Sequence, residues 1–297
     1  MSRDAPAPLF ELIAAGERAS GGVIGVAATV LATGRHIGFR EDELFPAASV
    51  IKLPILVALY EEVVRGTVDL TERVTYRAAG RVAGSGVLQD LDDGLALTVR
   101  DLATLMITVS DNTATDLLLE RVGKDAVEAT MRRQDLHSVR IPFSIRELLM
   151  ELVDMDHRGP GGYEELRRRL RVSAGSGGRS VIAEESDRAT PRDLCRLLEL
   201  LESRAILDGP SCGAILDTLQ RTKADTRIPA LLPKGTIVAH KTGTIRGVRN
   251  DVGVVYGPSG VYALAILSRG RRPGRPGRPR AGGDLARQPR GIRPPRR

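Results

Sequence analysis

Three short groups of polar residues along the chain could together activate a serine hydroxyl as a nucleophile. They are Ser49-Val50-Ile51-Lys52, Ser110-Asp111-Asn112 and Lys241-Thr242-Gly243, the last followed by Thr244. Each group alone is short enough to arise by chance, but all three in order, each in a suitable local context, form a specific signal. A serine hydroxyl attacks a carbonyl carbon only when a base removes its proton. The combination therefore indicates acyl transfer through a covalent serine intermediate.

Lys52 is the candidate base for Ser49, because side chains three residues apart on a helix lie on nearly the same face. A partly desolvated lysine near a second one, Lys241, loses basicity and can act as a neutral base. The helix start adds positive potential and a free backbone N–H at Ser49, and a facing strand can supply a second N–H at Thr244 for an oxyanion. We expect Gly243 to leave room for substrate against that strand.

The elements that must position these groups are visible in the apolar pattern. Period-two runs predict a hairpin at about 23–40 and three strands, TIVAHKTG, DVGVVYG and VYALAILS, near the other end of the chain. Helical patterns lie between them: from about 47 to 66, from Thr98, from Asn112 to Gly123, near 144–154, near 163–171, from Thr190 to Leu201 and near 210–221. The prediction is an α+β fold, with one antiparallel sheet built from both chain ends, flanking helices and an all-helical lobe.

This pattern divides the chain into four predicted regions. Residues 1–46 and 206–270 form an α/β lobe, residues 47–205 form an all-α lobe, and the active site lies between the lobes. Residues 271–297 contain ten Arg, six Pro and five Gly, so we expect a disordered tail that buries no core. That tail is either a solvated end, the product of a shifted reading frame, or a tether to an acidic partner.

Composition excludes several classes of function. The net charge of the chain is +7; the tail, with ten Arg and one Asp, contributes +9, so residues 1–270 sum to 7 − 9 = −2. A slightly acidic body with 3% aromatic residues and no Trp argues against a nucleic-acid partner. Two Cys and four scattered His show no metal-ligand spacing, so we expect no metal and no other cofactor. No apolar run is long enough to span a membrane.

Over about residues 8–270 the chain resembles the serine β-lactamase and penicillin-binding-protein superfamily, most closely the class A β-lactamases and related serine hydrolases. Ser49 and Ser110 are 61 residues apart, similar to the family separation. The stretch TVRDLATLMITVSDNTATDLLLERVG resembles the family's central helix and its Ser-Asp-Asn turn. Arg227 precedes Lys241 by 14 residues, like an arginine that helps to bind the substrate carboxylate in several class A enzymes.

The resemblance implies a role for each residue of the three groups. Ser49 is the acylated nucleophile, Lys52 is its general base, and Ser110 relays a proton to the leaving nitrogen. Asn112 holds the acylamide carbonyl of the substrate. The substrate carboxylate is bound by Lys241, Thr242, Thr244 and Arg227, with Gly243 beside them. The turn at 84–86, Gly-Ser-Gly, falls near the rim of the site, where it can touch substrate.

One departure from the family pattern concerns the second half of the reaction. Class A β-lactamases carry a Glu that activates the deacylating water, and the alignment of residues 138–141 puts Ile145 at that position. The stretch from Ser110 to Lys241 is also longer than in class A, by roughly 25 residues. Candidate substitutes are Glu147, Glu151, Glu184 and Glu185. Each of them also fits an ordinary solvated charge on a helix or loop, and we give that interpretation most of the weight.

Three activities fit these residues: a β-lactamase, a D-alanyl-D-alanine carboxypeptidase or esterase that uses the same serine, and a β-lactam-binding protein that deacylates slowly. In each case the expected partner is a small-molecule β-lactam or a D-Ala-D-Ala-like substrate, and the expected state is a monomer. The N-terminus shows no basic region followed by a long apolar stretch, so a signal peptide is not predicted. Superfamily substrates lie outside the cytoplasm, and the sequence leaves the compartment open.

Overall fold

The computed structural model describes residues 7–157, 162–175 and 186–270. The helices in these ranges are α1 (Ala7–Ser20), α2 (Lys52–Val64), α3 (Val99–Thr108), α4 (Asn112–Val122), α5 (Lys124–Arg133), α6 (Ile145–Glu151), α7 (Tyr163–Gly175), α8 (Pro191–Glu202) and α9 (Gly209–Gln220). The strands are β1 (Val23–Val30), β2 (Arg35–Phe39), β3 (Phe45–Pro46), β4 (Arg73–Thr75), β5 (Ala96–Thr98), β6 (Arg188–Ala189), β7 (Ile237–Ile245), β8 (Val248–Gly257) and β9 (Gly260–Arg269). The predicted tail, residues 271–297, lies outside the described residues.

The main sheet combines the two ends of the chain. Its five strands are ordered β2-β1-β9-β8-β7, and every neighbouring pair is antiparallel. In the pairing of β1 with β9, Val23 lies opposite Arg269 and Val30 lies opposite Tyr262. Along β9, Ala263, Ala265 and Leu267 are buried while the residues between them are partly exposed, which is the alternation of a sheet with one packed face. The predicted α+β fold and the predicted hairpin are confirmed.

Helix α2 lies at the centre of the molecule. All residues from Lys52 to Tyr60 are buried, because this helix is apolar around most of its circumference and is enclosed on every side. Its only charged residue in that buried stretch is Lys52. A buried charge at the start of an apolar helix is costly unless it has partners, so this position is the natural place to look for function.

Helix α8 packs on the sheet, although we expected it within the all-α lobe of residues 47–205. Cys195 Sγ lies 3.6 Å from Thr29 Oγ1 on β1, and Tyr256 on β8 donates its hydroxyl to Glu202 at 2.6 Å. The reason is its apolar face, Leu194, Leu197, Leu198 and Leu201, which is buried. The division into lobes, with its boundary at residue 205, stays a prediction. No helix in the described ranges is long and apolar enough to cross a membrane.

Candidate active site

Ser49 lies in a short 3-10 turn, Ala48–Ile51, which leads directly into α2. We predicted one continuous helix from residue 47. The tighter turn has three residues per turn, so positions 49 and 52 lie on the same side of it, although the hydrogen bonds of Lys52 go to Ser110 and Asn112. Ala48 has a φ of 49°, in the left-handed region that non-glycine residues avoid. Strain of this kind is concentrated at functional sites and persists only where the surroundings enforce it.

The turn is held in place by Asn250, which sequence reasoning missed. This buried side chain on β8 donates to Pro46 O at 2.8 Å and to Ala47 O at 3.0 Å. The backbone N–H of Ala47 donates to Asp187 O at 2.8 Å. Two distant segments therefore fix the residues that precede Ser49. No short-range pattern points to Asn250, because its partners lie about 200 residues away.

Lys52 is fully buried and makes three hydrogen bonds. Its Nζ donates to Ser110 O at 2.7 Å, to Ser110 Oγ at 3.2 Å and to Asn112 Oδ1 at 2.8 Å. Burial and the nearby Lys241 ammonium lower the pKa of Lys52 well below its usual range, against the opposing charges of Asp111 and Asp116. A lysine with a lowered pKa is populated in its neutral form, which is the form that can accept a proton.

Ser110 lies between the two lysines. Its Oγ is 3.2 Å from Lys52 Nζ and 3.0 Å from Lys241 Nζ, and its φ is 57°, again in the left-handed region. The turn that carries it is fixed by Asp111. That carboxylate caps α4 through Ala114 N at 2.9 Å and also accepts from the N–H groups of Val87 and Leu88 at 2.6 and 2.8 Å. A hydroxyl bonded to two amino groups is placed to pass a proton between them.

Lys241 extends from β7 into the same site and is fully buried. Its Nζ donates to Ser110 Oγ at 3.0 Å and to Thr242 O at 2.8 Å. Burial lowers the pKa of Lys241 to about 7; the charge of Asp251 opposes this shift and the charge of Arg227 adds to it. Near neutral pH this residue therefore exchanges between a charged and a neutral form.

Strand β7 is an edge strand, so alternate residues direct their backbone N–H away from β8. Gly243 is the point at which β7 comes close to the turn that carries Ser49. A Cβ there would lie 2.7 Å from Ala47 O and about 3 Å from Val50, so the missing side chain makes room for the turn. Our expectation that Gly243 also leaves room for substrate stays a prediction. Arg227 braces the same strand, donating to Gly243 O at 2.8 Å and to the hydroxyl of Thr244.

These groups surround a cavity of about 570 Å³. Of the predicted site residues, the cavity is lined by Ser49, Ser110, Asn112, Lys241, Thr242 and Thr244. Lys52 lies beneath the cavity, Gly243 lies on β7 against the turn that carries Ser49, and Arg227 contacts β7 through Gly243 O. Lys223 adds a further positive charge to the lining, and no Asp or Glu among the described residues belongs to it. The charge pattern suits an anionic small molecule. No cluster of metal-ligating side chains occurs in the described part of the chain.

The turn at residues 84–86 packs against Asn112. Asn112 receives a hydrogen bond on its Oδ1 from Ser85 Oγ at 3.2 Å, donates its own N–H to Ser85 O at 3.0 Å, and donates through Nδ2 to Ala83 O at 2.8 Å. Ser85 Oγ also donates to Ser110 O at 2.8 Å. Gly84 and Gly86 have φ values of 101° and 109°, which allow this close approach. The predicted rim turn thus contacts the site's own polar groups.

The opposite wall of the cavity is apolar. It consists of Ile145, Leu148 and Leu149 at the start of α6, and Ile145 is only 5% exposed. Asp116, a buried residue that sequence reasoning missed, anchors this wall by accepting from Ile145 N at 2.7 Å and Arg146 N at 2.9 Å. Burial raises the pKa of Asp116 to about 6, against these N–H donors and the charge of Lys52, which favour the ionised form.

Of the four candidate acids, the two that the structure describes, Glu147 and Glu151, have partners of their own and do not line the cavity. Glu147 caps α6 from the outside: it accepts from Ser144 N at 2.7 Å and from Lys124 Nζ at 3.0 Å. Partial burial opposes its ionisation, but these two partners together lower the pKa of Glu147. Glu151 pairs with His157 at 2.6 Å. Glu184 and Glu185 lie outside the described residues.

Comparison with known proteins gives one consistent result. The family model described as Beta-lactamase enzyme family matches residues 8–288. The chain is 30% identical over 266 residues to the β-lactamase regulatory protein BlaB of Streptomyces cacaoi, covering 82% of this chain and 83% of that protein.

Two solved structures are similar over most of their length. The β-lactamase of Sphaerobacter thermophilus has a TM-score of 0.73 at 31% identity, with 89% of this chain and 88% of that chain covered. A leucine-to-glutamate point mutant of PBP-A, solved as an acyl-enzyme complex with penicillin-G, has a TM-score of 0.71 at 29% identity, with 88% and 86% covered.

Proposed function

The chain belongs to the β-lactamase enzyme family, whose class A members are serine hydrolases, and we propose that its own serine nucleophile is Ser49. In this proposal a β-lactam enters the cavity with its carboxylate against β7, where Lys241, Thr242 and Thr244 bind it. Arg227 supports the strand from behind. Asn112 binds the acylamide carbonyl. The substrate is a small molecule and the chain acts as a monomer.

The observation that carries this proposal is the position of Ser110 Oγ between two buried lysines, at 3.2 and 3.0 Å. Neutral Lys52 takes the proton of Ser49 as its Oγ attacks the lactam carbonyl. Backbone N–H groups of Ser49 and Thr244 stabilise the oxyanion. When the lactam C–N bond breaks, the proton passes from Lys52 through Ser110 to the leaving nitrogen. The product is an acyl ester on Ser49.

Hydrolysis of that ester is the slow step in our proposal. A general base that activates water typically contributes about 10²–10⁴-fold. Ile145, Leu148 and Leu149 offer only hydrocarbon at the cavity wall, and Glu147 is engaged with Ser144 and Lys124. We therefore propose a β-lactam-acylated hydrolase whose turnover is limited by deacylation.

The apolar wall of Ile145, Leu148 and Leu149 also supports a second candidate activity, that of a β-lactam sensor. BlaB, a relative over most of this chain, is named a regulatory protein, and PBP-A with a leucine-to-glutamate change is captured as a penicillin acyl-enzyme. A protein that binds a β-lactam and remains acylated would serve as a sensor. A D-alanyl-D-alanine carboxypeptidase or esterase is the further alternative, because acylation of Ser49 by such substrates uses the same groups.

The experiment that tests the proposal is intact mass measured over time after addition of a penicillin. We expect a rapid increase by the mass of one penicillin, followed by slow return to the free mass. Persistence of the adduct for hours favours the sensor. Absence of any adduct, together with hydrolysis of a p-nitrophenyl ester, would favour the esterase and contradict the proposal.

A further inference from the structure

The hydroxyl of Ser85 contacts Ser110 and Asn112, but the proposed mechanism gives Ser85 no role. Its Oγ is 2.8 Å from Ser110 O and 3.2 Å from Asn112 Oδ1. Lys52 Nζ donates to the same two oxygens, at 2.7 and 2.8 Å. A carbonyl oxygen has two lone pairs, so it can accept from both donors. Ser85 and Lys52 therefore share their acceptors.

This sharing matters because of the number of protons on Lys52. A charged ammonium has three N–H groups, and the three contacts of Lys52 use all of them. A neutral amine has two N–H groups and a lone pair. When Lys52 takes the proton of Ser49, its lone pair must first be free, so a hydrogen bond to one of these oxygens is given up or weakened.

We propose that Ser85 is a positioning residue for acylation: its single hydroxyl proton remains directed at Ser110 O, with Asn112 Oδ1 as a second, longer acceptor of the same proton, and so frees Lys52 to act as the base. The inference rests on the proposed roles of Ser49 and Lys52. Ser85 keeps its own proton throughout, and the proton that moves goes from Ser49 Oγ to the lone pair of Lys52 Nζ. Ser85 itself forms and breaks no covalent bond.

The geometry of the turn supports this role over simple loop packing. Gly84 brings the chain so close to Asn112 that a Cβ at residue 84 would lie 2.9 Å from Asn112 Nδ2. Ser85 is exposed at the cavity, so its hydroxyl is not required to satisfy a buried group of its own. A second donor also reduces the negative potential that these oxygens present to Lys52, which makes the charged form of Lys52 less favourable.

The test compares Ser85→Ala with Ser85→Thr, which keeps a hydroxyl, and with Ser203→Ala, whose hydroxyl donates to Glu199 O at the distant end of α8. Acylation rates are measured from about pH 6 to about pH 9 with two acyl donors, a fluorescent penicillin and p-nitrophenyl acetate. One net hydrogen bond corresponds to a rate change of about threefold to tenfold. We expect Ser85→Ala to slow acylation by this factor near pH 6 and to approach the wild-type rate at high pH. Ser85→Thr and Ser203→Ala should follow the wild type.

Two outcomes would overturn the inference: an unchanged pH profile in Ser85→Ala, or slowing by the same factor at every pH with no rescue by threonine. If the alanine variant does not fold, Ser85→Cys, which keeps the size but donates weakly, must show the same pH-dependent slowing. The two acyl donors separate the inference from the proposed function. If penicillin fails to acylate the wild type but p-nitrophenyl acetate succeeds, the proposed function is contradicted. The acylation rates of the Ser85 variants with the ester then still test the role of Ser85.

Discussion

The two walls of the cavity differ sharply in chemistry. On one side two buried lysines and Ser110 form a continuous hydrogen-bonded group next to Ser49. On the other side Ile145, Leu148 and Leu149 present hydrocarbon, even though a buried carboxylate, Asp116, accepts from the backbone N–H of Ile145. The polar wall can remove and return a proton, and the apolar wall can only shape the substrate. In the proposed mechanism, forming the acyl-enzyme and hydrolysing it therefore depend on separate parts of this molecule.

The largest expected effect comes from removing the nucleophile on the polar wall. Ser49→Ala should abolish penicillin labelling, a loss of about 10⁴-fold or more. Its stability should change by no more than about 0.5 kcal/mol, because Ser49 Oγ makes no hydrogen bond among the described residues. Intact mass and thermal unfolding measure the two quantities. An adduct of unchanged size on the alanine variant would show that another residue is acylated.

The next effect concerns the apolar wall. Rapid mixing of the wild type with a chromogenic cephalosporin should give a burst of about one equivalent and then a slow phase, since acylation outruns deacylation. Ile145→Glu should speed the slow phase, by up to about 10²–10⁴-fold if the carboxylate reaches the ester. Ile145→Gln, of nearly equal size, is the matched control and should not. Linear turnover by the wild type without a burst would mean that deacylation does not limit the rate. Glu147→Gln would then be the first variant to measure.

A smaller effect follows from the titration of the polar wall. The pKa of Lys241 is lowered to about 7, so its positive charge is present below that pH and is lost as the pH rises through it. Binding of a carboxylate-bearing penicillin should weaken accordingly, with KM rising about tenfold at high pH. Neutral p-nitrophenyl acetate should show no such rise. Lys241→Arg, which stays charged, should flatten the penicillin profile; the same slope in both proteins would contradict this role.

The smallest effect concerns Asp187, whose backbone helps to hold the nucleophile's turn. Its carboxyl is buried and has no hydrogen-bond partner among the described residues, while its backbone oxygen accepts from Ala47. Burial raises the pKa of Asp187 well above its ordinary value; the charges of Asp116 and Glu147 act in the same direction, and the nearby N–H of Phe143 and the charge of Lys124 oppose it. The folded state therefore holds this proton, and the stabilisation that it contributes at low pH is lost as the pH rises through the folded pKa.

Asp187→Asn should remove this dependence on pH. We expect the variant to be about 1 kcal/mol more stable than the wild type above neutral pH, with the difference shrinking as the pH falls. Denaturant unfolding at several pH values measures it. Asp92→Asn, at an exposed position, is the control and should leave the slope unchanged. A uniform loss of stability at every pH would show that the carboxyl has an essential polar partner.

Local patterns in the sequence were sufficient for the strands of the five-stranded sheet, for most of the helices and for the residues of the polar wall, but not for α5 or for the short strands β3 to β6. The alternation in β9 and the caps at Thr98 and Thr190 depend on neighbours in sequence, so they could be predicted. Most of the residues singled out from the three motifs line the cavity, while Lys52 and Gly243 do not. The chemical roles of all these residues stay predictions.

Partners far apart in the chain were not predictable in the same way. The sequence did not indicate that Lys52 bonds to Ser110 and Asn112, that Asn250 holds the turn before Ser49, or that α8 covers the sheet. Each depends on a contact between segments far apart in the chain, and no short pattern encodes such a contact. The 3-10 turn at Ser49 was missed because propensities do not separate it from the first turn of an α-helix.

The pairing of β1 with β9 also has a consequence for how the protein is made. The first strand of the sheet can find its central partner only after the last strand has been synthesised, and Lys241 lies on a strand attached to that late partner through β8. Contacts between such distant segments slow folding, because a long loop must close before they form. Until β9 is synthesised, the β1–β2 hairpin keeps the β1 edge that β9 later covers unpaired, and such an edge is a surface that aggregates or recruits a chaperone. The cavity is thus among the last features to form.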